Sequence, residues 1–403
     1  MPHDPRKLGF VDALRGWAFL GVLTCHLAIA VDGLPAELKT PLTHGDKGVQ
    51  LFFLASALTL FRSQDARRGG ERRPILNFLL RRYFRIAPLF YAGLLFYLVA
   101  FPGHRFDSRT TGAATPGAIL STVVFLHGWG PYWINTAVPG GWSIAVEMTF
   151  YAFVPLLYSR VKSMSTILIL TLAMHLLGTA ITLGARWALA RSGVGVGDLD
   201  VFCQSWLFAQ TTAFGAGVAL YFLTRDRLRD PDSGSFRHSA GRSAWLLVAA
   251  AYLFIVVACS DVRLFAQLPL FDASLLLFAW ALALHPFTLF VNRVTRWVGV
   301  HSFSAYLTHF AALEWALRVV PTSWSWQARL PALAASTLGL TIALSTATHR
   351  LIEVPGQALG RRLIARLEGS RPAGAADAKM AETADRSPCS AGEMSREPKA
   401  PSI

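Results

Sequence analysis

The chain of 403 residues is 53% hydrophobic and only 15% charged, with a mean hydropathy of +0.41. Soluble domains carry about a quarter charged residues, so the composition excludes a soluble enzyme and points to an integral membrane protein. The net charge of +14 sits between apolar stretches and forms no solvated basic domain, which excludes a nucleic-acid partner and follows the positive-inside rule.

The first apolar stretch, Phe10 to Val31, is long enough to cross a bilayer yet holds Asp12, Arg15 and His26. Arg6 and Lys7 before it give it the look of a signal peptide. Arg15 and His26 interrupt the apolar run, so it reads as a retained first span. These two residues are eleven positions apart and return to one helical face, separated by ~16 Å along the axis. Ionisable groups in a span are costly and face a bundle interior or a water-filled path. A snorkelling Arg and a hydrogen-bonded core His are the structural alternative.

A polar loop over 32–48 leads to a short second span, Val49 to Phe61. Residues 62–85 then carry eight arginines, a cytoplasmic signature that places the N-terminus on the same side. The third span runs from Ile86 to Phe101. Beyond it, AILSTVVFLHGW is too short to cross and reads as an interfacial or re-entrant piece. Further spans are predicted at 142–158, 166–183, 206–223, 244–258, 268–291, 303–320 and 330–348. The resulting fold is an all-α polytopic bundle of about ten transmembrane helices with both termini cytoplasmic. The membrane domain covers 1–368, and 369–403 reads as a disordered cytoplasmic tail rich in Ala, Ser, Pro, Glu and Lys.

Five polar constellations stand out. The first is Asp12, Arg15 and His26. In the second, Arg82 and Arg85 are three apart and share a helical face, where guanidinium forks suit phosphate groups. An ordinary positive-inside anchor would look the same. The third is GGWSIAVEMTFY, with Glu147 a turn and a half into its span, either partnered by Arg15 or His26 or resting at the water interface. The fourth is HSFSAYLTH, which puts Tyr306 and His309 on one face. The fifth is RLIEVP, with Glu353 at the cytoplasmic end of the last span. Cys25, Cys203, Cys259 and Cys389 show no metal or redox spacing, and a Cys203–Cys259 bridge is the only pairing left open. Walker A, HExxH and GxSxG motifs are absent, and no metal site is expected.

Six strings in order, FVDALRGWAFLGVLTCH, GVQLFFLASALTL, RRYFRIAPLFY, WSIAVEMTFY, SFSAYLTH and IEVP, resemble the acyltransferase-3 family over residues 10–355. Ser56-Ala57, Met148 and Thr308 depart from the family's usual residues. The resemblance implies a multi-pass enzyme of the inner (cytoplasmic) membrane. It would move an acyl group, acetyl first among them, from cytoplasmic acyl-CoA to a hydroxyl of a saccharide or glycan, free or lipid-linked. Acyl-CoA is then a donor substrate, and no cofactor is held permanently. His26 would act as general base or carry the acyl group itself. Arg15 would stabilise the oxyanion or fix the His, and Glu147 would orient or pair with either. Arg82 and Arg85 would hold CoA phosphates, with Asp12, Ser56, Trp142, Ser143, Tyr306, His309 and Glu353 supporting. The competing reading is a transporter or flippase that uses Arg15, His26 and Glu147 as a proton or substrate path.

Overall fold

The computed structural model describes residues 8–103, 113–229, 239–260 and 267–369, and among these every regular element is helical. In chain order the helices are α1 (Gly9–Ala30), α2 (Ala36–Thr43), α3 (Gly48–Ala66), α4 (Pro74–Ala100), α5 (Pro116–Val123), α6 (Gly141–Arg160) and α7 (Met164–Arg191). They continue with α8 (Val196–Ser205), α9 (Thr211–Arg229), α10 (Ser239–Cys259), α11 (Gln267–Leu284), α12 (Arg293–Val319), α13 (Trp326–Thr348) and α14 (Val354–Glu368). Of the tail proposed from composition, all but Gly369 lies outside the described residues, as does Cys389.

Among the described residues, seven helical stretches are long and apolar enough to cross a membrane, so the protein is a multi-pass membrane protein. They are α1, α4, α7, α9 with its leading turn, α10, α11, and α13 running on into α14. The expected spans at 49–61, 142–158 and 303–320 are also helical, as α3, α6 and α12, with 19, 20 and 27 residues. Polar side chains lower their hydropathy, and several of these, Ser56, Glu147 and Tyr306 among them, face other protein groups across the bundle.

Several boundaries differ from the sequence reading, each for a local reason. Helix α4 starts at Pro74, where the missing N–H costs nothing. The Glu368 carboxylate accepts from the backbone N–H groups of Arg72 and Arg73 and from Asn77 Nδ2, tying the end of α14 to the start of α4. The Arg81–Arg85 cluster therefore lies within the helix rather than in a loop before it. Helix α11 stops at Leu284, before the His285-Pro286 pair, instead of reaching 291. Helix α12 starts ten residues earlier than 303, because Asn292 and Thr295 form a reciprocal capping box. Helix α13 passes through a π-helical turn, His349–Glu353, into α14, so Arg361, Arg362 and Arg366 are helical.

Helix α1 is the axis of the bundle and packs against α12, α3 and α13, while α9 backs α3 and α10 pairs with α11. The crossing of α1 and α12 depends on small residues. A Cβ on Gly16 would strike the Thr295 carbonyl oxygen, and one on Gly299 would strike that of Asp12. Close backbone approach of this kind is what drives helix association in lipid, where apolar burial alone gains little. At the periphery, α7 and α10 turn Ile169, Leu172, Trp245 and Tyr252 outward, as lipid-facing helices do. Cys203 is buried and Cys259 exposed, and neither is disulfide-bonded.

Candidate functional site

Nine of the twelve predicted site residues line two cavities that share one wall, and Asp12, His309 and Glu353 line neither. The smaller, of about 60 Å³, is lined by Arg15 from α1, Ser56 from α3, Arg82 and Arg85 from α4, Ser143, Glu147 and Tyr151 from α6, and Tyr306 from α12. The larger, of about 1120 Å³, is lined by His26, Gln50, Trp142, Tyr306 and residues of α7, α8 and α11. Val49 and Tyr306 line both. Trp142 and Ser143 are neighbours in sequence yet look into different cavities, because successive residues on a helix point about 100° apart.

In the small cavity, Glu147 Oε1 accepts from Ser56 Oγ at 2.6 Å and from the Tyr151 hydroxyl at 2.5 Å. Arg15 donates to Thr59 Oγ1 at 3.2 Å and lies 4.0 Å from Asp12 Oδ1. Electrostatic attraction reaches from Glu147 to both Arg15 and Arg82. Arg82 also stands over the rings of Phe78 and Tyr151, at 5.6 and 5.9 Å. Its neighbour Arg81 is committed elsewhere, in a two-pronged pair with Glu71 at 2.7 and 3.2 Å. Three guanidinium groups (Arg15, Arg82, Arg85) converge against two carboxylates (Asp12, Glu147), which leaves this end of the bundle with excess positive charge. Such a site suits an anionic, phosphate-bearing ligand.

His26 sits apart from these groups. Of the two partners the sequence allows for Glu147, the structure brings it to Arg15 and places His26 in the other cavity. The two α1 residues share a face, but three helical turns put them in separate cavities, and Glu147 takes the Arg15 side. His26 instead packs its ring on Phe310, with centroids 4.5 Å apart, and lies 5.4 Å from the His309 ring. His309 is fully buried, and its Nδ1 donates to the Tyr306 carbonyl oxygen at 2.7 Å. Its Nε2 is buried without a hydrogen-bond partner.

Glu353 belongs to neither cavity. Its carboxylate accepts from Ser304 Oγ at 2.8 Å, His349 Nδ1 at 2.9 Å and Gln357 Nε2 at 3.1 Å, and so pins the π-helical turn to α12. Among the described residues no group of His, Cys, Asp and Glu is placed to hold a metal ion.

Sequence reasoning missed Tyr151, Thr59 and Asp272. Tyr151 was legible, being one turn after Glu147 on the same face. Asp272 is a carboxylate inside an apolar span, and it accepts from Thr212 Oγ1 at 2.5 Å. His127 was missed as well, because its segment is too short to cross and reads as a connector. It is buried, stacked on Phe90 at 5.8 Å, with Nε2 2.9 Å from the Gly141 carbonyl oxygen at the start of α6. Burial pulls its pKa from 6.5 down to about 4. The unfolded chain therefore binds a proton that the folded one refuses between these values, so stability is present above pH 6.5 and is lost as pH falls toward 4. The melting temperature in detergent should fall over this window, and His127→Gln should flatten the fall.

No solved structure matches the chain. The acyltransferase MdmB of Streptomyces mycarofaciens is 26% identical over 399 residues, covering 90% of this chain and 95% of that protein. The acyltransferase domain family matches residues 8–349, which takes in both cavities and every helix that lines them; the chain belongs to this family and is an enzyme that transfers acyl groups.

Proposed function

We propose that this chain is an O-acyltransferase of the cytoplasmic membrane, with ten spans and both termini in the cytoplasm. It moves an acyl group, acetyl first among them, from cytoplasmic acyl-CoA to a hydroxyl of a saccharide or glycan at the cell envelope. One observation carries this reading. An arginine-lined cavity and a histidine-lined cavity stand at opposite ends of α1 and share the wall formed by Val49 and Tyr306.

Arg82 and Arg85 hold the CoA phosphates at the mouth of the small cavity, with Arg15 and the hydroxyl-fixed Glu147 completing its charge. The narrow cavity takes the slim pantetheine arm. The large cavity takes the acceptor, and it has ample room, since drug-sized ligands occupy about 300–1,000 Å³. Its walls mix the Trp142 ring with the amides of Gln50, Asn135 and Gln204, groups suited to a hydroxylated molecule. Its charged side chains are paired, Arg186 with Asp200 at 2.7 Å and Lys47 with Asp46 at 2.8 Å, which favours a neutral acceptor. The acceptor oxygen attacks the thioester carbonyl, a C–O bond forms as the C–S bond breaks, and His26 takes the hydroxyl proton.

Comparing acyl-ester content of envelope glycans and small metabolites from cells with and without the protein tests the reading. An ester that disappears with the protein supports it, and identical profiles count against it. The topology has its own test. In a cysteine-free background, Arg68→Cys, in the exposed turn between α3 and α4, should resist an impermeant thiol reagent in intact cells. Labelling there would reverse the orientation.

A further inference from the structure

The two cavities share a wall formed by Val49 and Tyr306, and this partition is rigidly built. The Tyr306 hydroxyl donates to the Gly140 carbonyl oxygen at 3.1 Å and accepts from Ser143 Oγ at 2.9 Å. Gly140 has φ of +68°, and a Cβ there would come within 2.9 Å of that hydroxyl. Glycine thus serves both the left-handed turn before α6 and the seat of the phenol. Phe52 and His309 brace the Tyr306 ring, at 6.0 and 5.7 Å between centroids. On the opposite side Val49 is buried at the start of α3, where the preceding Gly48 lies against the Ala18 carbonyl and leaves α3 no room to shift toward α1.

The small cavity, at about 60 Å³, admits only a slim group, since one water already needs about 10–15 Å³ in this measure. Resting on the function proposed above, the acyl group is the leading end of the donor and must pass this partition to meet His26. We propose that Val49 and Tyr306 set the acyl chain length of the enzyme, passing acetyl and holding back longer or branched chains. The reaction balance is the same for any chain that passes. The acceptor C–O bond forms, the C–S bond breaks, and the hydroxyl proton goes through His26 to leave with CoA as its thiol. Selection falls on the donor and not on the large cavity, whose 1120 Å³ discriminates little among short acyl groups.

The test is CoA release by purified wild type, Val49→Ala and Val49→Ile with acetyl-, butyryl- and octanoyl-CoA. Envelope extract from cells lacking the protein supplies the acceptor. Wild type should favour acetyl over butyryl by about tenfold or more in kcat/KM, the discrimination that one or two methylenes allow. Val49→Ala should bring butyryl and octanoyl closer to acetyl, and Val49→Ile should push them further away. If Val49→Ala fails to fold, the Ile variant decides alone, since narrowing must penalise butyryl more than acetyl. Equal use of acetyl- and octanoyl-CoA by wild type, or one unchanged ratio across the folded enzymes, would overturn the inference while leaving acyl transfer intact. No CoA release from any donor would overturn the proposed function along with it.

Discussion

Replacing His26 with Gln should all but abolish acyl transfer while acyl-CoA binding survives. This is the largest effect expected of any single substitution. The amide keeps a hydrogen-bonding group on the wall of the large cavity, but it cannot accept the hydroxyl proton. Loss of a general base costs about 10²–10⁴ in rate. Binding should be spared, because the arginines proposed to hold the donor line the other cavity. Steady-state kinetics with a parallel binding titration checks both. A correctly inserted Gln variant with near-normal turnover would make His26 structural.

The second large effect is on donor affinity. Arg82→Ala should weaken acyl-CoA binding by roughly 10- to 100-fold, as expected for one charge-assisted hydrogen bond of about 1.5–3 kcal/mol. Arg82→Lys should recover only part of this, since an ammonium gives a point charge and no fork. Arg81→Ala should behave differently. Arg81 is paired with Glu71 in the turn before α4, so its loss leaves that carboxylate to Arg67, 3.6 Å away, and should leave the donor site standing. Titration of the three variants with acetyl-CoA separates them, and equal affinity in all would reduce the cluster to a topology signal.

The contrast between Arg81 and Arg82 shows where the sequence stops being informative. Helix existence was legible wherever apolar residues ran long enough, as in α1, α4, α7 and α10, because the bilayer imposes a length. Helix ends were not, because caps such as Asn292 with Thr295 and the carboxylate of Glu368 act from positions outside the apolar run. The polar residues of the site could be picked out, since each is expensive in lipid. Their grouping could not. Arg15 and His26 share one face of one helix, and only the approach of α6 assigns Glu147 to the first of them. Tyr306 stood out through its spacing from His309, yet its place in the wall between two cavities depends on Val49 and Gly140, which are remote in sequence. His127 carried no signal at all, because burial came from Phe90 and the start of α6 and not from its own segment.

The most direct test of acyl transfer through both cavities uses purified protein in liposomes with acetyl-CoA labelled in the acetyl group. An envelope and metabolite extract from cells lacking the protein serves as acceptor, and alkali-labile ester label is counted. Wild type should release CoA and place the label in ester linkage, in equal amounts, whereas His26→Gln and Arg82→Ala should place far less. Absence of both ester label and CoA release from correctly inserted wild type, with acceptor compounds moved across the bilayer instead, would contradict the account and favour a transporter.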